Sequence, residues 1–136
     1  GQSVIAFMGA SEILPGLKDA VPSFKSYKEV ADQIGQSRMI FGKRVNAVIG
    51  DGMIFAEYNR QLRDQADDLM FDPNQGVTFQ AIFAPSDYGM NFRSEALTAD
   101  FNRCYSEASA DGTIDAINKK WADQYRDTLG TQYLGH

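Results

Sequence analysis

A chain of 136 residues, 43% of them hydrophobic and 23% charged, is long enough to bury a core of its own and too apolar to remain disordered. Its 18 acidic residues against 13 basic ones leave a formal net charge of −5, which argues against nucleic acid or an anionic membrane surface as partner. The one cysteine, Cys104, excludes an intrachain disulfide and a thiolate metal cluster, and the one histidine, His136, stands at the very end, leaving no internal imidazole for a nucleophilic triad. No apolar run reaches transmembrane length, and no signal-peptide pattern is present. The chain runs almost at once into an apolar strand, so it is expected to be a mature or excised piece of something longer.

Val4-Ile5-Ala6-Phe7 is predicted to be the first strand. Met8-Gly9-Ala10-Ser11-Glu12 then turns into a helix, with Ala10 or Ser11 near its start and Glu12 in its first turn. Pro15-Gly16 interrupts that helix, and residues 17–21 add a turn before Pro22. Residues 24–27 form a short second strand. Ser26-Tyr27-Lys28-Glu29 has the spacing of a capping box, and Val30, Ala31, Ile34, Met39 and Phe41 suit the buried side of a helix that ends around Gly42. Residues 45–49, small and β-branched, are expected to be a central strand covered on both faces. Gly50 and Gly52 flank Asp51 and let the backbone turn sharply there. From Met53 to about Gln65, Phe55, Ala56, Tyr58, Asn59 and Leu62 fall at helical spacing. Asp51 between strand and helix reads either as an N-cap or as a ligand group, since ligands of open α/β sheets sit at the carboxyl ends of strands.

Asp64, Asp67, Asp68, Asp72, Pro73, Asn74 and Gly76 mark an acidic, turn-rich connection. It lacks the alternating Asp/Asn ligands, central Gly and closing Glu of a calcium loop, so it is read as solvated surface. Residues 77–83 are predicted to be a further strand, Ala84-Pro85-Ser86-Asp87 a break, and residues 88–93 another extended segment. Two helices close the chain. The first, residues 95–110, carries Leu97, Phe101, Cys104, Tyr105 and Ala108 on one side; the second, capped by Thr113, carries Ile114, Ile117, Trp121 and Tyr125. Residues 129–136 form a Gly-rich, loose tail. Strands alternating with helices predict a mainly parallel, three-layer α/β/α arrangement.

Three segments together resemble a known family. They are Val4 to Ser11 as an entry strand and turn; Arg44-Val45-Asn46-Ala47-Val48-Ile49-Gly50-Asp51; and Tyr88-Gly89-Met90-Asn91-Phe92-Arg93, continuing through Leu97, Phe101-Asn102, Gly112 and Ile117 to Lys119-Lys120-Trp121. Their order and spacing are similar to the type II periplasmic solute-binding proteins, specifically the bacterial extracellular solute-binding protein family 3 that delivers amino acids to ABC transporters. The resemblance implies that residues 1–87 are ligand-binding lobe two. Residues 88–136 would be the return crossover strand and the C-terminal helices that complete lobe one. It also implies a periplasmic or extracellular binding protein without catalysis, cofactor or metal. Its partners would be an amino-acid-like small molecule and, in the full-length protein, ABC transporter membrane subunits. About half of the ligand cleft would be present.

Carried over by position, Asp51 would accept hydrogen bonds from the ligand's α-ammonium, a short and strong charge-assisted contact. Ser11 and the backbone N–H groups around Gly9, Ala10 and Ser11 would hold the α-carboxylate, as a helix N-terminus can. Ala10 stands where many relatives carry a hydroxyl, Glu12 adds a negative charge, and Asn46 replaces an Asp of the pattern. These departures leave room for a cationic or non-amino-acid ligand, while Glu12 also reads simply as a first-turn acid. The same fold also serves as the extracellular sensory domain of receptors. In a few enzymes it acts as a dehydratase, for which Glu12 and Asp51 would be the candidate acid and base. Finally, Leu97, Phe101, Tyr105, Ile114, Ile117 and Trp121 would pack against the absent part of lobe one. Leaving them wet costs roughly 25 cal/mol per Å², so self-association, domain swapping or folding back onto lobe two is expected.

Overall fold

Three strands pair in the order β2-β1-β3, all parallel. The computed structural model describes residues 1–65, 70–85, 88–130 and 133. β1 (Ser3–Phe7) is the central strand, flanked by β2 (Ser26–Val30) and β3 (Ala47–Ile49). Val4, Ile5 and Ala6 are accordingly among the most buried residues of the chain. The expectation that residues 45–49 form the central strand is thereby corrected, because β3 is a three-residue edge strand whose residues are each only partly buried. An apolar run reports how well its two faces are covered, not how many strands lie beside it. Asn46 precedes β3 and sets its register: its N–H donates to the Ser3 carbonyl (2.8 Å), and its Oδ1 accepts from the Ser3 N–H (3.0 Å).

The connection from β1 to β2 holds α1 (Ala10–Ile13) and α2 (Leu17–Ala20), separated at Pro15-Gly16 as the sequence predicts. They cover the face bearing Ala6, Tyr27 and Ile49, where Ala10 and Leu17 complete a small core with Leu14 and Phe24. The connection from β2 to β3 holds α3 (Gln33–Phe41), which contacts β1 and β3 from the other face and packs against α4 (Gly52–Arg63). Ala56, Asn59 and Leu62 are the buried stripe of α4, and Phe55 stacks on Phe41 at 6.5 Å. The architecture is α/β with a parallel sheet and helices on both faces.

Other expectations are corrected. Ser26-Tyr27-Lys28-Glu29 is not a capping box: it lies within β2, and α3 begins at Gln33 with Asp32 accepting from the Gly35 N–H (3.3 Å). The helix does end at Gly42. Residues 77–83 form no strand among the described residues. Phe79 of this segment packs edge-on against Tyr133, with ring centroids 5.8 Å apart. Residues 88–93 are irregular and largely exposed. Asp67, Asp68, Ser86, Asp87 and most of the tail, His136 included, lie outside the described residues.

α5 (Glu95–Ala110) and α6 (Thr113–Gln124) form a hairpin. Ser94 caps the first helix, accepting from the Leu97 N–H (3.3 Å). Thr113 does not cap the second. Gly112 occupies that position at φ 82, where any side chain would be strained, and the Asp111 carboxylate accepts from the Thr113 N–H (2.9 Å). Neither helix buries a residue, and Leu97, Tyr105, Ile117 and Trp121 remain 44–55% exposed. Attachment to the α/β unit runs mainly through α7 (Arg126–Leu129), whose Leu129 is buried. The Tyr125 hydroxyl adds a bond to Glu57 Oε2 (2.6 Å). Among the described residues no helix is long and apolar enough to cross a membrane.

Candidate functional site

β1 and β3 are neighbours, yet the chain leaves them towards different destinations: β1 connects to β2 on one side, and β3 continues into α4. In parallel α/β sheets the crevice at such a switch point, outside the carboxyl ends of the strands, is where ligands are held. Gly9, Ala10 and Ser11 follow the end of β1, Asp51 follows the end of β3, and Glu29 stands near the end of β2. Gly9 takes φ 85, which lets the backbone turn straight from strand into α1.

Donors from Gly9, Ser11 and Tyr27 converge on Glu29. Its Oε2 accepts from the Gly9 N–H, and its Oε1 from the Ser11 N–H and the Tyr27 hydroxyl, each at 2.8 Å. The Ser11 hydroxyl, then the Ser11 N–H, Tyr27 and the Gly9 N–H hold this carboxyl at about 2, well below the usual range. Burial, followed by the neighbouring Glu29, pushes the Tyr27 phenol up to about 12. Two of the backbone donors that the resemblance assigns to a ligand carboxylate, those of Gly9 and Ser11, are thus engaged by an internal one. Ala10 is fully buried and contributes only backbone. Glu29 does cap a helix, but it caps α1 from the adjacent strand. Tyr27 and Glu29 are two apart in a strand and so share a face, the one signal that could have found the pair.

Asp51 is the N-cap of α4, its Oδ1 accepting from the Met53 N–H (2.9 Å) and the Ile54 N–H (3.1 Å). Its Oδ2 accepts from the Tyr133 hydroxyl (3.1 Å). Burial and the Asp51 charge push the Tyr133 phenol up to about 12. Gly52 is buried beneath this contact, and a Cβ there would meet Phe79, Leu129 and Tyr133 at 2.8–2.9 Å. Nothing local marks Tyr133 or Phe79, which arrive from a tail and from a segment outside the three strands. Glu12 turns away to Lys18 (2.9 Å) on the open surface and shares no partner with Asp51.

Comparison of the chain with protein-family models, curated proteins and solved structures gives no match. Its chemistry is therefore read from the site. Two carboxylates, Asp51 and Glu29, stand at one end of a three-stranded sheet. One Asp51 oxygen is committed to the helix; the other meets a single phenol. Such an oxygen can accept from an ammonium, which would replace a neutral donor by a charged one. The N–H groups of Gly9 and Ser11 are saturated by Glu29, so a second anion there would meet like charge. Among the described residues no three His, Cys, Asp or Glu side chains are grouped to hold a metal ion.

Proposed function

We propose that this chain is a ligand-binding lobe of the solute receptor of an ABC transporter, a type II periplasmic binding protein of the amino-acid class, carrying about half of the cleft. The observation that supports it most is that Asp51 follows the carboxyl end of β3 and the Gly9–Ser11 turn follows that of β1, its neighbour in the sheet. The ligand's ammonium takes the outer oxygen of Asp51 in place of Tyr133. A ligand carboxylate reaches Gly9 and Ser11 only by displacing Glu29. Solutes with a cationic group and little negative charge are therefore bound in preference to acidic ones. The exposed faces of α5 and α6 fit helices that complete the other lobe in a longer protein.

An amide-shift titration by NMR tests this, with glycine, glutamate, lysine and arginine as panel and Asp51→Asn alongside. Asparagine caps a helix about as well as aspartate, so the variant removes the charge and keeps the helix. Shifts confined to Gly9, Ser11 and residues 50–52, larger for lysine and arginine than for glutamate and abolished in Asp51→Asn, are expected. Shifts that survive the substitution, or silence both here and in a longer product that restores the second lobe, would refute the assignment.

A further inference from the structure

A second cleft, of about 1070 Å³, opens on the α3 side of the sheet, and neither Asp51 nor the Gly9–Ser11 turn lines it. Ile5, Val30, Met39, Phe41 and Phe71 give it an apolar floor and wall. The wall is fixed by stacking, with Phe41 lying 6.5 Å from Phe55 and 6.4 Å from Phe71. Among the described residues, Lys28, Arg38, Lys43 and Arg44 line the same cleft, against two acids, Asp32 and Asp72. That ratio of four to two inverts the chain as a whole, where 13 basic residues face 18 acidic ones. Both acids are already partly committed, Asp32 to the Gly35 N–H and Asp72 to the Asn74 N–H. None of the four basic side chains has an ion pair or hydrogen bond among the described residues, whereas Lys18, Arg60, Arg103, Lys119 and Arg126 are all paired.

We propose that this cleft binds a soluble organic anion, a carboxylate or sulfonate on an aromatic or aliphatic body of small-molecule size. Ligand pockets of roughly 300–1,000 Å³ are lined mainly by apolar side chains with a few charged groups that fix orientation, and this cleft matches that description at its upper limit. The apolar floor holds the body of the ligand. Unpaired cations beside a low-dielectric wall attract the head group more strongly than cations on an open surface would. Arg38 and Arg44 present planar forks that suit a carboxylate or sulfonate, and their exposed stems let them close over it. The site is independent of the one at Asp51, so either can fail without the other.

The test uses two fluorescent probes of nearly equal apolar body, anionic anilinonaphthalene sulfonate and neutral phenylnaphthylamine, with the chain in its folded state. Cooperative thermal unfolding of every variant guards against dye uptake by a loosened core. Saturable one-to-one binding of the sulfonate is expected, with amide shifts at Lys28, Val30 and along α3. Arg38→Gln with Arg44→Gln should weaken it roughly tenfold, and raising salt to about 0.3 M should weaken it further. Lys28→Gln, on β2, should act in the same direction, while the neutral probe should bind far more weakly and ignore all three changes. Equal binding of both probes would overturn the proposal. So would sulfonate binding that survives the arginine substitutions, or shifts that map outside the cleft. Sedimentation with vesicles of anionic lipid but no response to the soluble probe would also refute it.

Discussion

Replacing Gly52 by alanine probes how the C-terminal segment is held over the start of α4. The added Cβ would stand 2.8 Å from Phe79 Cε2 and 2.9 Å from both Leu129 Cδ2 and Tyr133 Cδ2. Reaching an ordinary carbon–carbon contact of about 3.5 Å requires each to retreat by roughly 0.6–0.7 Å. Three side chains, Phe79 from one segment and Leu129 and Tyr133 from the C-terminal one, must move together, so rotation of one of them is not enough. Overpacking of this kind costs about 1–3 kcal/mol, while the better helix propensity of alanine returns at most about 1 kcal/mol. At the middle of these ranges the net loss is about 1–2 kcal/mol, seen as a melting temperature lower by roughly 4–8 °C. A second signal comes from Tyr133, whose phenol is held at about 12 by burial and by Asp51. If its ring is pushed off, its NMR-detected titration should move back towards 10, the ordinary value. An alanine variant as stable as the parent, with Tyr133 still titrating late, would show that the tail does not rest on Gly52 and would refute the reasoning.

Asp51→Ala should lose about 1 kcal/mol of stability in urea unfolding, because the Met53 and Ile54 N–H groups lose their acceptor, while Asp51→Asn should stay within a few tenths. Equal losses in the two variants would mean that the charge, not the cap, matters to folding. Stability should also fall at both ends of the pH scale. Tyr27 and Tyr133 keep their protons more tightly folded than unfolded, so their contribution is complete below pH 10 and is lost as pH rises through about 12. Glu29 and Glu57 behave in the opposite sense: held at about 2 against an ordinary 4.5, they contribute fully above pH 4.5 and lose that contribution as pH falls towards 2. Glu29→Gln should flatten the acid limb of a stability profile and shrink the Tyr27 part of the alkaline limb, leaving the Tyr133 part in place; an unchanged acid limb would remove Glu29 from the account.

Glu29 shows why part of the site is illegible along the chain. Ser-x-x-Glu is the same four-residue pattern whether it opens a helix or lies in a strand, and here the strand wins because Ser26 to Val30 pairs throughout with β1. Its carboxylate does cap a helix, but one that begins at Ala10, with its nearest bonded N–H eighteen positions away at Ser11. Asp51 is the contrary case. Its partners Met53 and Ile54 are two and three residues on, so a cap was one of the two roles readable from Gly50-Asp51-Gly52.

The same division runs through the whole molecule. Residues 95–110 become a helix with the predicted limits, α3 stops at Gly42, and Pro15-Gly16 splits the first helical segment. Each of these depends on bonds that close within about four residues. The position of β1 at the centre, the demotion of β3 to an edge and the absence of a strand at residues 77–83 are of another kind. So are the Glu29 carboxylate on Gly9 and Ser11 and the Tyr133 ring over Gly52. A ladder or a packed ring requires a partner tens of residues away, and many segments of similar composition compete for each place. Local chemistry settles where an element starts and stops; which surfaces it meets is decided only when the chain closes its long loops around one core.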